Sequence, residues 1–448
     1  MPAEEINECL KQAQKYLEQK EFQTAIEYFT KAVSIDPSIK EAWLNLGICY
    51  GMVQEFEKAI NGFKKAVEID PAYSIAWNSM GITYRNIGDF VSAIDCAEAA
   101  LKIDAQDKIA RYDMGVAYKE LKAYLKAIDC FNKALEIDPH FILAWNFLGL
   151  TYGEMRDFEE MLNAFKKIIE IDPNYVDAWN SMGLAHAELQ NYQDAIDCYE
   201  RALQIDPQFK IAWNNLGTIY DDLGEYEKAI DCYEKTVQID PAYKFAWNNM
   251  GNAYVKLGED EKAIGFFEEA VKIDPNYKFA FVNMGNANGN LGDFYQAIEC
   301  YEKALEIDPS FKEAWKILGD LYYSDLADFD KAIDCYQKAI QIDPNYKQAL
   351  TELEHLYNEI GMYQKAIECQ EKMIKDGTIG KQGTDDSDEK IISEAKIVRA
   401  KKVMKEGAPK SPALRSASDE VLKVLKLRLA KGEITKEEYL ELKRILEE

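Results

Sequence analysis

Ten asparagines recur at related positions along the chain, and their type and spacing could carry binding chemistry. A side-chain amide both donates and accepts hydrogen bonds, so a row of amides suits the N–H and C=O groups of an extended peptide. The residues are Asn78, Asn146, Asn180, Asn214, Asn215, Asn248, Asn249, Asn252, Asn283 and Asn286. We expect them to bind a peptide segment. The alternative is that one asparagine of each pair bonds the neighbouring part of the fold.

Histidine and cysteine, which are common in catalytic and metal sites, give no comparable pattern. The histidines His140, His186 and His355 are scattered, and GTIGKQG near Gly377 lacks the spacing of a phosphate-binding loop. Seven of the nine cysteines occupy one recurring position. Neighbours there would lie about 10 Å apart, beyond the reach of a disulfide or a shared metal. We expect small buried side chains, with a redox role as the alternative. We expect no enzyme, no catalytic residue, no metal and no cofactor.

The asparagines belong to a unit of 34 residues that recurs along the chain and is clearest in Lys210–Tyr243. Its apolar residues fall into two runs with helical spacing. Gly224 lies between the runs, where a left-handed residue would end a helix, and Pro241 follows the second run. The unit is therefore predicted to be a helical hairpin. Two such helices bury their apolar stripes only by stacking on neighbouring hairpins.

Small and aromatic residues keep fixed positions within the unit. All seven tryptophans share one position, glycine recurs on the first helix from Gly47 to Gly319, and alanine recurs on the second helix. A larger residue at the small positions would push the helices apart. One unit has an extra residue within Leu321–Leu326. It predicts either a single wide helical turn or a longer corner.

This order of tryptophan, glycine, tyrosine, alanine, an aromatic residue, alanine and proline resembles the tetratricopeptide repeat. The resemblance covers residues 6–376, which would form about eleven hairpins. It implies an all-α fold, a right-handed superhelical solenoid whose first helices line a concave groove that binds peptides. The asparagine positions are similar to the amide ladders of peptide-binding members of the family.

The implied groove changes character along the chain. One inner position is apolar from Ile48 to Leu184 and polar from Thr218 to Asp320. A second inner position is mostly apolar: Ile75, Ile109, Leu143, Ile211, Phe245 and Phe279. These patterns favour a partner with an apolar anchor and an extended remainder. Lys256 is nearly alone where carboxylate-clamp members of the family carry basic residues, so we do not expect that mode of binding.

Charge limits the classes of partner. The net charge is −26, and residues 377–448 hold 16 basic and 14 acidic side chains, so the acidity lies in the repeats. Such a surface repels nucleic acid and attracts basic segments, although solubility explains acidity equally well. The amino terminus lacks the pattern of a signal peptide, and no stretch approaches the roughly 18 apolar residues of a membrane span. We therefore expect a cytoplasmic protein that does not cross a membrane.

The carboxy-terminal region has a different design. Residues 377–417 begin with a polar, glycine-rich stretch that predicts a flexible linker, and a basic helix is predicted within residues 389–406. Residues 418–448 resemble the SHOCT domain, a short helical hairpin thought to mediate oligomerisation or tethering. Leu422, Leu425 and Leu429 share a stripe that so short a segment cannot bury alone. We therefore expect a homo-oligomer formed through this segment.

Together these features predict an adaptor that binds a protein or peptide in its groove. The alternative is an assembly scaffold whose groove is filled by its own or a neighbour's tail. In that alternative the basic cluster Lys396–Lys405 occupies the acidic groove of its own or a neighbouring array, and the asparagines serve packing only.

Overall fold

The computed structural model describes residues 2–375, which form 22 α-helices in two compact units. The first unit, residues 1–259, holds α1 (Pro2–Glu18), α2 (Phe22–Ile35), α3 (Lys40–Met52), α4 (Phe56–Ile69), α5 (Ser74–Asn86), α6 (Phe90–Ile103), α7 (Lys108–Glu120), α8 (Tyr124–Ile137), α9 (Ile142–Glu154), α10 (Phe158–Ile171), α11 (Val176–Glu188), α12 (Tyr192–Ile205), α13 (Lys210–Asp222), α14 (Tyr226–Ile239) and α15 (Lys244–Lys256). The second unit, from residue 260 onward, holds α16 (Asp260–Ile273), α17 (Lys278–Asn290), α18 (Phe294–Ile307), α19 (Lys312–Ser324), α20 (Phe329–Ile342), α21 (Lys347–Glu359) and α22 (Tyr363–Lys375).

Odd-numbered helices are the first helices of the repeats, and even-numbered helices are the second helices. The predicted fold class, an all-α superhelical solenoid of tandem 34-residue repeats, is confirmed, and residues 2–375 contain no strand. The predicted linker with its basic helix and the predicted SHOCT-like hairpin lie outside the described residues. No helix among those described is long and apolar enough to cross a membrane.

Each hairpin packs closely where glycine recurs on the first helix. A Cβ atom on Gly217 of α13 would lie 2.6 Å from the ring of Tyr233, which is buried in α14. Ala229, one turn earlier in α14, is fully buried. The same contact between glycine and an aromatic ring recurs at Gly47, Gly115, Gly149, Gly183, Gly285 and Gly319. Close helix approach is therefore the reason for the small residues, as the sequence predicted.

A residue with positive φ lies in the corner between the two helices of each repeat. Gly224 has a φ of 77°, as predicted, whereas Lys122 and Gln190 hold the same conformation at 59° and 61° without being glycine. In the repeat with the extra residue, α19 keeps 13 residues and Ala327 in the following corner has a φ of 52°. The extra residue therefore lengthens the corner, which was the second of the two predicted outcomes.

An aspartate follows each second helix from α2 to α20 and accepts a backbone hydrogen bond in the loop. Asp240 accepts a 3.0 Å hydrogen bond at Oδ1 from the backbone N–H of Ala242 and a 2.5 Å bond at Oδ2 from Nζ of Lys210. Lys210 begins α13, so the pair links the start of one helix to the end of its partner. These two bonds hold the pKa of Asp240 below its ordinary value. Equivalent pairs are Lys40–Asp70, Lys108–Asp138, Lys278–Asp308 and Lys312–Asp343.

All nine cysteines are buried and none forms a disulfide. Burial raises the pKa of the Cys232 thiol to about 12 and that of the Cys198 thiol to about 11. A thiol with so high a pKa is a poor nucleophile near neutral pH. The prediction of small buried packing residues is therefore confirmed for the recurring cysteine position.

Candidate partner-binding face

The first helices from α3 to α21 share one face that keeps at least partial exposure, except at Asp113 and Val116 of α7, which are buried. We call it the open face and define it by the second, sixth, ninth and thirteenth residues of each first helix. These four residues lie on one side because an α-helix has 3.6 residues per turn. In α9 they are Leu143, Phe147, Leu150 and Glu154. The side that carries the recurring glycine packs on the second helix instead.

Apolar side chains hold three of the four open-face positions in α9, whereas α11 carries Asp177, Ser181 and Glu188 beside Leu184. In α7 the exposed apolar residue of this face is Ile109. Leu143 is 48% exposed and Leu184 is 44% exposed, and Ile109 and Leu150 are also exposed, while Phe147 lies half-buried among them. We call these five residues the apolar patch. The other apolar residues predicted at the second position are exposed as well: Ile75, Ile211, Phe245 and Phe279. The apolar character predicted for this inner position is therefore present at the surface.

Carboxylates occupy the thirteenth position and border the apolar patch. We call this row the acidic rim; its members, all exposed, are Glu120, Glu154, Glu188 and Asp222. Lys119 lies between Glu120 and Glu154 and forms ion pairs with both, and Nη2 of Arg156 donates to Glu188 at 3.2 Å. Four carboxylates outnumber these two cations, so the rim remains acidic.

Several of the predicted binding amides bond each other instead of standing free. Nδ2 of Asn215 donates to Oδ1 of Asn180 at 3.1 Å, and Nδ2 of Asn249 donates to Oδ1 of Asn214 at 3.3 Å. Asn214 is only 8% exposed and Asn248 only 5%. For Asn214 the structure favours the alternative stated from the sequence, in which one asparagine of a pair holds neighbouring repeats together.

The remaining five amides are half-buried. Nδ2 of Asn78 donates to Asp107 at 2.6 Å, and Oδ1 of Asn286 accepts from the hydroxyl of Tyr301 at 2.8 Å. Three further amides are half-buried on first helices: Asn146, Asn252 and Asn283. All ten predicted amides are therefore buried or half-buried. How far each one faces solvent depends on contacts between repeats, which the spacing alone does not determine.

Comparison with protein families decides what kind of chain this is. Models described as tetratricopeptide repeat match residues 9–39, 41–73, 63–95, 109–141, 142–175, 176–209, 211–243, 245–277, 279–311 and 313–346. The chain is a tetratricopeptide repeat protein. The resemblance of residues 418–448 to the SHOCT domain stays a prediction, because that segment lies outside the described residues.

Solved structures similar to this tetratricopeptide repeat protein include three named proteins. MamA is 29% identical over 36% of this chain and 95% of its own, with a TM-score of 0.34. Yeast Tom70 is 16% identical over 83% of this chain and 92% of its own, with a TM-score of 0.48. YrrB, described as a TPR protein with an unusual peptide-binding site, is 24% identical over 43% of this chain and 98% of its own, with a TM-score of 0.34. The comparison with curated proteins found no significant match.

An ion pair that sequence reasoning missed lies between α5 and α7 of the tetratricopeptide repeat array. Nη1 of Arg85 donates to Oδ1 of buried Asp113 at 2.5 Å, while Oδ2 of Asp113 has no hydrogen-bond partner. Burial raises the pKa of Asp113 to about 6; Arg85 opposes this shift and Asp107 adds to it. An arginine and an aspartate about one repeat apart, both on first helices, were the signal that could have revealed the pair.

The second unit of the array contains a cavity of 670 Å³ at the start of its first helices. The rings of Phe279 and Phe311 meet there edge to face at 5.5 Å, and Nζ of Lys278 lies 4.3 Å from the centre of the Phe311 ring. The full lining is Lys278, Phe279, Asp308, Ser310, Phe311, Lys312, Glu313, Ile342 and Asp343. Asp308 and Asp343, two of its three carboxylates, already form ion pairs with Lys278 and Lys312. Most of the charge in the cavity is therefore paired within the chain.

Proposed function

We propose that this tetratricopeptide repeat protein is a protein–protein adaptor whose open face binds a segment of a partner protein. Tetratricopeptide repeat proteins generally mediate interactions between proteins, so the family supports this class of function. The observation that carries the proposal is the exposure of the apolar patch together with the acidic rim on one face of α7, α9 and α11.

Burial of Leu143, Leu150 and Leu184 by a partner would be favourable because it removes exposed apolar surface from water. Leu143 and Leu150 project from the same helix, and Leu184 projects from the next first helix at the same level as Leu150. Core positions of the repeats are already filled by other residues, such as Leu148 and Phe165. Packing within the first unit therefore gives no reason for leucine at the exposed positions, whereas partner binding does.

Charge selects among partners. The chain has a net charge of −26, and the acidic rim lies beside the apolar patch, so a segment that combines apolar and basic side chains suits this face. Electrostatic attraction of this kind raises the association rate and disfavours acidic partners. A cytoplasmic site of action and assembly into homo-oligomers remain parts of the proposal that the sequence motivates.

A structural assembly scaffold is the second candidate, and one observation favours it. The amide pairs Asn215–Asn180 and Asn249–Asn214 join neighbouring repeats, which is the packing use of asparagine that this candidate requires. In a scaffold, the open face would be covered by the tail of the same or a neighbouring chain.

A photo-crosslinking experiment separates these candidates. The photoreactive residue p-benzoylphenylalanine replaces Leu143 on the open face, or Glu159, which is exposed on the second helix α10. An adaptor should give crosslinks to other proteins from position 143 and not from position 159. Crosslinks from position 143 only to residues 377–448 of this chain would support the scaffold. Equal crosslinking to other proteins from both positions would refute the proposed open-face site.

A further inference from the structure

We propose that the 670 Å³ cavity of the second unit is a further partner-binding site, which holds an aromatic side chain of a partner protein whose neighbouring residue is basic. This inference shares the adaptor class of function proposed above but concerns a site other than the apolar patch, so either can fail without the other. The cavity lies at the start of α17 and α19 and at the end of α20.

The size and apolar lining of the cavity suit a large side chain. Ligand sites in proteins have volumes of about 300–1,000 Å³, and the volume of this cavity lies within that range. Three apolar side chains line it: Phe279 is 49% exposed, Ile342 is 39% exposed and Phe311 is half-buried. They come from α17, from the end of α20 and from the loop before α19. A side chain bound among them would remove apolar surface of all three from water.

The paired charges of the lining disfavour an anionic ligand. Asp308 accepts hydrogen bonds from Nζ of Lys278 at 2.5 Å and from the hydroxyl of Ser310 at 2.6 Å. Asp343 accepts from Nζ of Lys312 at 2.5 Å. An anion would have to displace one of these carboxylates from its lysine. An apolar side chain leaves both pairs intact, and they do not need a polar group from the ligand.

The arrangement of the rings indicates that the bound side chain is aromatic. The ring of Phe279 packs edge to face against Tyr277 at 5.9 Å and against Phe311 at 5.5 Å. Aromatic rings prefer such tilted pairs, so a further ring can extend this series, whereas an aliphatic side chain gains only the burial of its surface. A cation is less suitable beside these rings, because Nζ of Lys278 already lies 4.3 Å from the centre of the Phe311 ring and 5.2 Å from that of Phe279.

The third carboxylate of the lining favours a basic residue next to the aromatic one. Glu313 is the second residue of α19, the position that Phe279 holds in α17. It is exposed, and its carboxylate forms no ion pair within residues 2–375. An arginine can bind a carboxylate through two parallel N–H···O bonds. The net charge of −26 attracts a basic segment over a longer range.

The test uses the full-length protein and a short synthetic peptide in which fluorotryptophan precedes arginine among glycine and serine residues. Fluorine NMR follows the labelled peptide, and peptides without fluorine compete with it. We expect a dissociation constant of about 1 mM or below for the labelled peptide. A competitor with leucine for tryptophan, or with glutamate for arginine, should bind at least about fivefold more weakly.

Matched variants of the protein locate the ring contact. Phe279→Ser should weaken binding of the labelled peptide about fivefold or more. The control Tyr295→Ser removes a ring of the same unit that is 84% exposed. Tyr295 lies at the start of α18, which is the opposite end of the hairpin from Phe279, so this control should bind as the unchanged protein does. Thermal unfolding verifies that both variants are folded.

A third variant, Glu313→Gln, tests the basic neighbour and leaves the rings in place. The side chain is exposed and outside the ion pairs, so the variant should fold as the unchanged protein does. It should weaken binding of the arginine peptide about threefold or more, and it should affect a peptide with serine for arginine less. Equal losses for the two peptides would show that Glu313 does not bind the arginine.

Three further results would overturn the inference. Equal competition by the leucine peptide would show that any apolar side chain suffices, equal losses in Phe279→Ser and Tyr295→Ser would indicate non-specific adsorption, and an unchanged fluorine signal would remove the site. The adaptor function is judged separately by crosslinking from position 143, which lies in the first unit. If that crosslinking persists while the labelled peptide fails to bind, the cavity inference falls and the proposed function stands.

Discussion

The indole Nε1 of Trp213 donates a 3.1 Å hydrogen bond to the carbonyl oxygen of Pro207, six residues earlier in the loop before α13. The same bond is formed by Trp43, Trp77, Trp145, Trp179, Trp247 and Trp315 with the preceding prolines. Where arginine replaces tryptophan, Nη2 of Arg111 donates to the carbonyl of Ala105 at 2.8 Å. The tryptophan position is therefore defined by a donor to the loop as well as by packing.

The first prediction concerns this bond. Trp213→Phe keeps an aromatic ring but removes the donor, and it should lower the free energy of unfolding by about 1 kcal/mol. Phe281 occupies the tryptophan position six residues after Pro275, so Phe281→Trp should raise the free energy of unfolding by a similar amount. Urea unfolding measures both changes. If Phe281→Trp leaves the unfolding midpoint unchanged, the added bond contributes nothing.

The second prediction concerns close helix approach. A Cβ atom at position 217 would meet the Tyr233 ring at 2.6 Å, so Gly217→Ala should destabilise the protein by about 1–3 kcal/mol. Gly265 lies within α16, where an added Cβ atom would meet no neighbouring atom within 4 Å, so Gly265→Ala should stabilise the protein by about 0.5–1 kcal/mol. Thermal unfolding measures the change in stability caused by each of the two substitutions. Shifts of the same sign would show that general helix propensity, and not the ring contact, decides the outcome.

The third prediction concerns acid stability. Lys278 and Ser310 lower the pKa of Asp308 to about 2, below the value of about 4 expected in the unfolded chain. Its contribution to stability is therefore present above about pH 4 and is lost as the pH falls through about 2. Lys278→Gln should raise the folded pKa of Asp308 and reduce this acid sensitivity. The control Lys272→Gln removes an ion pair within one helix, between Lys272 and Glu269, and should leave the pKa of Asp308 unchanged.

The fourth prediction concerns a loss of stability as the pH rises, which is opposite to the pH dependence expected from Asp308. Burial raises the pKa of Asp113 to about 6. Its contribution to the free energy of unfolding is therefore fully present below about pH 4 and is lost as the pH rises through about 6. Asp113→Asn should therefore flatten the fall in stability over that interval. Unfolding midpoints measured in steps from about pH 4 to about pH 7 test this. Identical slopes for the unchanged protein and the variant would show that Asp113 does not titrate there.

The fifth prediction concerns thiol reactivity. Burial raises the pKa of the Cys96, Cys232 and Cys335 thiols to about 12, so thiolate is scarce near neutral pH. A colorimetric disulfide reagent should react slowly with the native protein and completely after denaturation. Rapid reaction of one cysteine in the native state would reveal local opening at that repeat, which peptide mapping would identify.

The sequence predicted those features that depend on one repeat. The contact of Gly217 with the second helix, the small residue Ala229 and the left-handed Gly224 all follow from residue type and spacing. Features that depend on the distance between repeats were harder to predict. The burial of Asn214 and its bond from Asn249 require the spacing of α13 and α15, which no local pattern contains.

Substitutions that compensate one another were also beyond sequence reasoning. Met161 replaces the usual small alanine of the second helix and is buried. A Cβ atom at Gly153 would lie 3.0 Å from its sulfur, so the glycine on α9 leaves space for the larger side chain. The sequence showed the larger residue, but only the structure shows which neighbour accommodates it.

The pairing of Lys210 with Asp240 has a consequence for biosynthesis. The two residues are 30 positions apart, and the bond from Asn215 to Asn180 spans 35, so each hairpin can be completed as soon as one further repeat has left the ribosome. At about 5–20 residues per second, a repeat emerges in roughly 2–7 seconds. Helices and short loops form in microseconds or less. The amino-terminal repeats can therefore be folded while the carboxy-terminal repeats are still being translated.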